Sequence, residues 1–280
     1  MLSAVEIVEQ TDRLPSLPAA YMKVKRVIDD PHGSIRQLAA AMSSDPAMTA
    51  RVLRVVNSPF YGYPGRIETV TRALNILGMQ QVHDVVLAWA ISSAFADVRT
   101  AVIPMKSFWR QSVARAIAAR QLARRAGFVD AERLFVEGLL SDIGHLIMYT
   151  VVPDLAIAAM TASRQTEHPL HELELELIGC DYAEVGAALV LAWELPVSFC
   201  EPIKCQIAPS TATIHRLEAA ILHIAGTLEA SAAKSPSVQP DPDALAALEL
   251  DEASLISLYS EVTGELDSAF ATFFPNLAAA

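Results

Sequence analysis

The chain has 280 residues, 52% hydrophobic and 19% charged, which is ample apolar material for a core and excludes a disordered chain. Its net charge of −11 is uneven: residues 1–150 carry 17 basic and 13 acidic side chains, and residues 151–280 carry 4 and 19. An acidic half this strong repels a phosphate backbone, so nucleic acid is not the expected partner.

The start, Met1-Leu2-Ser3-Ala4-Val5-Glu6, lacks the basic and apolar regions of a signal peptide. The longest apolar runs, such as Ala187 to Trp193, fall short of the ~20 residues that cross a bilayer, so no membrane span is expected. Cys180, Cys200 and Cys205 show no CxxC spacing and read as reduced thiols, which suits a cytoplasmic protein.

In chain order, Leu17, Tyr21, Val24, Val27 and Ile28 form a first helical stripe. Ser34 with Gln37 makes a capping box, and Asp45-Pro46 supplies an N-cap and an N1 proline for the next helix. That helix should end at Asn57, because Ser58-Pro59-Phe60-Tyr61-Gly62-Tyr63-Pro64-Gly65 cannot continue it. Val70, Ala73, Leu74 and Leu77 mark another helix, closed by Gly78. Val82, Val85, Val86 and Trp89 mark the next, and Phe108 to Ala126 a further one closed by Gly127. Asp130 opens a helix expected to run unbroken through Leu139, Asp142, Ile143 and Leu146. Asp181 with Glu184 makes a second capping box, Pro196 suits an N1 position, and Thr213 opens a helix to about Ala233. Residues 234–242 read as a linker, followed by an amphipathic helix from Glu252 to about Phe274 with Leu255, Leu258, Tyr259, Val262, Leu266, Ala269 and Phe273 on one face. No segment alternates at period two, so the class is all-α. The expected organisation is an N-terminal helical lobe (1–100), a helical core (101–233), the linker (234–242) and a C-terminal helical appendage (243–280).

These landmarks, taken together and in order, resemble the HDOD (HD-related output domain) family over about residues 14–210. The resemblance is carried by Leu14-Pro15-Ser16-Leu17-Pro18, Asp45-Pro46, and Val56-Asn57-Ser58-Pro59-Phe60-Tyr61-Gly62. It continues through Ile67-Glu68-Thr69-Val70, Arg72-Ala73-Leu74, Leu77-Gly78, Phe108-Trp109 and Gly138-Leu139-Leu140-Ser141-Asp142-Ile143-Gly144. Glu184-Val185-Gly186-Ala187 and Trp193-Glu194-Leu195-Pro196 complete it. It implies an HD-like helical core, from a superfamily whose active members bind divalent metal through a His, a His-Asp pair and a later Asp, to polarise phosphate and activate water. Asn57, Ser58, Tyr61, Gly78 and Trp109 are motif positions expected to be structural: Asn57 as a helix cap, Tyr61 and Trp109 as core aromatics.

The resemblance places Gln111 at the first His, Ser141-Asp142 at the pair, Tyr182, Gln206 and Ile207 at intermediate ligand positions, and Gly226 near the final Asp. Only Asp142 retains a ligand, and one carboxylate cannot hold such an ion. No bound metal, cofactor or catalytic residue is therefore expected. Gln111, Ser141, Asp142, His145, Tyr182 and Gln206 are the candidates for a vestigial pocket. A carboxylate there needs relief by Gln111, by His145 one turn on, or by an arginine of residues 110–125. His168 and His171, beside Glu172, Glu174 and Glu176, read as a solvated acidic surface, and His83-Asp84 as a chance pair. Arg120, Arg124 and Arg125 read as a solvated helix face rather than a phosphate site. The expected function is a non-enzymatic bacterial signalling module that binds a protein partner or a nucleotide-like ligand. The alternative is a metal-dependent phosphohydrolase with an unusual ligand set.

Overall fold

The computed structural model describes residues 1–10, 16–166, 168–232 and 239–279. Leu14 and Pro15 of the opening motif, and residues 234–238 of the expected linker, lie outside the described residues. The described residues are helical and contain no strand, in agreement with the helical period of the sequence. The helices are α1 (Ala4–Glu9), α2 (Ala19–Ile28), α3 (Ile35–Ser43), α4 (Pro46–Val56), α5 (Val70–Ala94), α6 (Met105–Arg125), α7 (Ala131–Leu140) and α8 (Ile143–Val151). There follow α9 (Pro153–Thr166), α10 (Leu170–Leu177), α11 (Tyr182–Ala192), α12 (Val197–Cys205), α13 (Arg216–Ala232), α14 (Pro242–Ala247), α15 (Glu252–Phe273) and α16 (Pro275–Ala279).

The chain divides into two compact units, one of residues 1–14 and 99–264, the other of 15–98 and 265–280. The first segment of the expected 1–100 lobe thus belongs elsewhere: α1 packs on α8 and α11, and the Leu2 amide donates to the Ile178 carbonyl at 2.7 Å. The expected appendage is divided as well, since α14 packs on α13 while the unit boundary falls inside α15. The linker expected to reach residue 242 is shorter, because the Asp241 carboxylate caps α14 and Pro242 is its first residue.

In the unit of 15–98 and 265–280, α2, α3 and α5 pack on one another and α4 packs on α3 and α5. Tyr21, Val24, Leu38, Met42, Met48, Val52 and Val55 are fully buried there. The capping box of Ser34 with Gln37 and the Asp45 cap on Met48 form as the spacing requires. Asn57 is the C-cap of α4 at φ −93°, so it needs no left-handed conformation. Its amide instead clamps the following loop: Nδ2 donates to the carbonyls of Leu53 and Ile67, and Oδ1 accepts from the Ile67 amide at 2.7 Å. The Ser58 hydroxyl donates to the Val55 carbonyl, and Tyr61 is half-buried with its ring edge-on to Phe60 at 5.4 Å. Gly78 has φ +85° and ψ 165° and breaks α5 into two helical segments, a conformation that L side chains rarely adopt.

In the unit of 1–14 and 99–264, α6 packs along α7 and α13, and α8 packs on α11. Two glycines permit these approaches. A Cβ on Gly138 would meet the Ala116 Cα at 2.8 Å, and one on Gly144 would collide with the Tyr182 carbonyl. Trp109 is buried on α6 with its ring edge-on to Phe108. The helix expected to run unbroken from Asp130 is in fact two, because Ser141 and Asp142 form a turn between α7 and α8. By length and composition 131–151 could cross a membrane, but 89% of its apolar window is buried inside the protein.

Of the three arginines expected on a solvated face, Arg124 and Arg125 are exposed and form ion pairs there, and Arg120 is buried. Arg120 is 1% exposed, 3.8 Å from the Glu132 carboxylate and over the Phe135 ring. Arg124 reaches Glu132 at 3.0 Å and Arg125 reaches Glu261 at 2.6 Å. Carboxylates arriving from α7 and α15 decide this, and helical periodicity within α6 carries no trace of them.

Candidate functional site

The turn at Ser141-Asp142 frees backbone groups that a continuous helix would have satisfied. The Ser141 hydroxyl donates to the Gly138 carbonyl at 2.8 Å, and the Gln206 amide donates to the Ser141 carbonyl at 2.8 Å. Gln206 also donates to Ile203, and its own carbonyl accepts from His223 Nδ1 at 2.8 Å. Ser141 and Gln206 are therefore fasteners of the break, tying α12 and α13 to it.

Asp142 sits at the N-terminus of α8 and is 6% exposed. Arg115 of α6 places Nη1 3.1 Å from Asp142 Oδ1, and His145 Nδ1 lies 2.7 Å from the same oxygen. Two of the three expected sources of relief are thus present. Gln111, the third, is half-buried one turn before Arg115 and is not among the partners of Asp142. Burial pushes the Asp142 carboxyl up, but Arg115 and His145 outweigh it and hold the group below the usual carboxylate range.

The residue that sequence reasoning missed is Glu174. Expected on a solvated surface, it is 2% exposed and stands 3.0 Å from His145 Nε2. Its other oxygen accepts from the Tyr182 amide at 3.1 Å, at the N-terminus of α11, where a carboxylate also meets the positive end of the helix dipole. The available signal was the i, i+4 spacing of Glu174 with Ile178, the buried stripe of an otherwise exposed α10. Glu172 and His168 do remain exposed, 3.7 Å apart.

His145 therefore lies between two carboxylates. Its ring stacks on Tyr182 at 4.2 Å and on Tyr149 at 5.6 Å, both nearly parallel. Burial opposes charge on the imidazole, but Tyr149, Glu174 and Asp142 outweigh it and raise its pKa well above the usual value. Tyr149 is itself pushed up by burial and is neutral at pH 7, so the two carboxylates carry the effect. The cluster then holds two positive and two negative side chains, with the imidazolium between two aromatic faces.

Residues 14–209 match the family model of the HDOD domain. The chain belongs to the HDOD family. A proposed phosphohydrolase of Shewanella amazonensis SB2B is 26% identical to it and has a TM-score of 0.73, covering 97% of both chains. A proposed signal transduction protein of Marinobacter aquaeolei VT8, 22% identical, has a TM-score of 0.73 over 98% of this chain and 61% of its own, a likeness of fold. An uncharacterized protein of Treponema pallidum (strain Nichols) is 25% identical over 200 residues, and this HDOD chain spans 37% of that relative's length.

The HD-like fold implies a divalent ion in this region, and the residues present do not fit one. Among the described residues no three His, Cys, Asp or Glu side chains form a group able to hold a metal. Both nitrogens of His145 are turned to carboxylate oxygens, and an imidazolium has no lone pair to give. Tyr182 stacks its phenol ring on that imidazole, and Gly226 brings no side chain at all. His83 and Asp84 belong to the other unit, where His83 Nδ1 lies 3.2 Å from Asp84 Oδ1 and Nε2 lies 3.2 Å from the Tyr21 hydroxyl.

Proposed function

We propose that this HDOD chain is a non-enzymatic regulatory module of a bacterial cytoplasm that acts by binding a protein partner. One observation carries the reading: Asp142, the single ligand left by the resemblance, is committed to Arg115 and His145. A carboxylate neutralised in this way has little affinity to offer a metal, and without the metal no water is activated for attack on phosphate. The buried cluster pairs its own opposite charges, which favours a protein partner over a nucleotide-like ligand. The free cysteines agree with a reducing compartment.

The test uses full-length protein purified without chelator and without a metal-binding tag. Its metal content is measured, and phosphomonoesterase and phosphodiesterase activity are assayed with added manganese or iron. We expect no stoichiometric metal and no metal-stimulated turnover. One equivalent of metal whose removal abolishes turnover would establish the second reading, a phosphohydrolase with an unusual ligand set. Saturable binding of a nucleotide in equilibrium dialysis would move the partner from protein to small molecule.

A further inference from the structure

Asp142 and Glu174 are buried to a degree at which a charged carboxylate needs hydrogen bonds or positive charge beside it. Metal enzymes of this fold meet that requirement with a divalent ion, and here the chain meets it with its own side chains. The Arg115 guanidinium lies 3.1 Å from Asp142, and His145 links Asp142 to Glu174. The packing on α13 agrees: a Cβ built on Gly226 would lie 3.7 Å from Arg115 Nη1 and 3.9 Å from its Cζ. The position that the resemblance aligns near the final Asp therefore abuts the guanidinium, at ordinary van der Waals distance.

We propose that Arg115 is a built-in replacement for the divalent ion, supplying the charge that Asp142 needs and closing the site to metal. This deepens the reading of the site as non-catalytic and rests on it. Arg115 is a positioning residue in this account and touches no substrate. The role makes a demand that packing alone would not: loss of the arginine should be offset either by an external cation or by removal of the negative charge on Asp142.

The experiment compares full-length wild type with Arg115→Ala, Arg115→Lys and the double variant Arg115→Ala/Asp142→Asn. Thermal midpoints are read in chelator and in millimolar manganese, with free manganese followed by electron paramagnetic resonance. Wild type and Arg115→Lys should melt alike in both media. In chelator the Arg115→Ala midpoint should fall by about 10 °C, the scale of breaking a buried pair in a domain of this size. Manganese should recover part of that loss in Arg115→Ala, and the double variant should recover part of it without manganese. An Arg115→Ala chain that melts with wild type, or that gains from neither manganese nor Asp142→Asn, would overturn the proposal. If Arg115→Ala does not fold, the other two variants decide: both folded supports the charge role, and both unfolded assigns Arg115 to packing. These outcomes sink the inference alone, whereas metal-dependent turnover by wild type sinks the functional reading with it.

Discussion

Each of the two units buries an aspartate beside a histidine, and the two pairs are built differently. In the unit of 15–98 and 265–280, Asp84 and His83 are neighbours in sequence. The ring faces Asp84 on one side and the Tyr21 phenol on the other, and the Gln80 amide donates to Asp84. In the unit of 1–14 and 99–264, Asp142 and His145 are one helical turn apart, and a second carboxylate and an arginine join them from α10 and α6. The first arrangement includes a phenol on the far side of the imidazole and an amide on the carboxylate. The second balances two carboxylates against two cations in low dielectric. Adjacency in sequence marked the pair of His83 and Asp84, while the cluster around Asp142 was assembled from residues 115 to 174.

The comparison breaks most visibly at Glu174. Glu174→Gln leaves two cations facing one carboxylate, and should cost about 3–5 kcal/mol, the scale of a broken buried pair. Denaturant midpoints measure it, and a loss below about 1 kcal/mol would mean that the cluster is not charge-balanced in the way described. Tyr21→Phe removes a neutral hydroxyl from His83 and should cost only about 1–2 kcal/mol, as for one buried hydrogen bond. Burial pushes the Tyr21 phenol up, so it acts as a neutral donor or acceptor throughout the physiological range. If Tyr21→Phe proves as costly as Glu174→Gln, the contrast between the two units fails.

The smallest effect is a dependence on pH. His145 has a raised pKa in the folded protein, so its stabilisation is complete below the ordinary histidine value. It is lost as pH rises through the folded value, which lies well above that. Asp142 acts in the opposite sense, stabilising above the ordinary aspartate value and losing that contribution as acid protonates it. Stability should therefore decline from neutral toward alkaline pH, and in His145→Gln that part of the decline should vanish. An alkaline slope unchanged by His145→Gln would show that the imidazole is neutral in the folded protein.

What could be read from the sequence depended on the range of the interaction. The capping boxes of Ser34 with Gln37 and Asp181 with Glu184, the Asp45 and Asp130 caps and the break at Gly78 all formed as read. Each is satisfied within four residues. The start of α12 was off by one position, because Pro196 serves as its N-cap rather than its first residue. Tyr259, expected on the buried stripe of α15, is 46% exposed although Leu258 beside it is buried.

The amino-acid order by itself determined that the chain is helical, where most helices start and stop, and which family's landmarks it carries, because backbone capping and the 3.6-residue period are local. The ordered motifs from Asp45 to Pro196 also singled out Asp142 as the one carboxylate that the resemblance aligns with a ligand position. Tertiary structure alone decided how that carboxylate is accommodated. Arg115, His145 and Glu174 sit on three helices, and their mutual attraction in a buried, low-dielectric place depends on distances that helix packing sets. The same holds for Arg120 and Glu174, both charged and both expected in water, which the fold buries because it delivers an opposite charge to each.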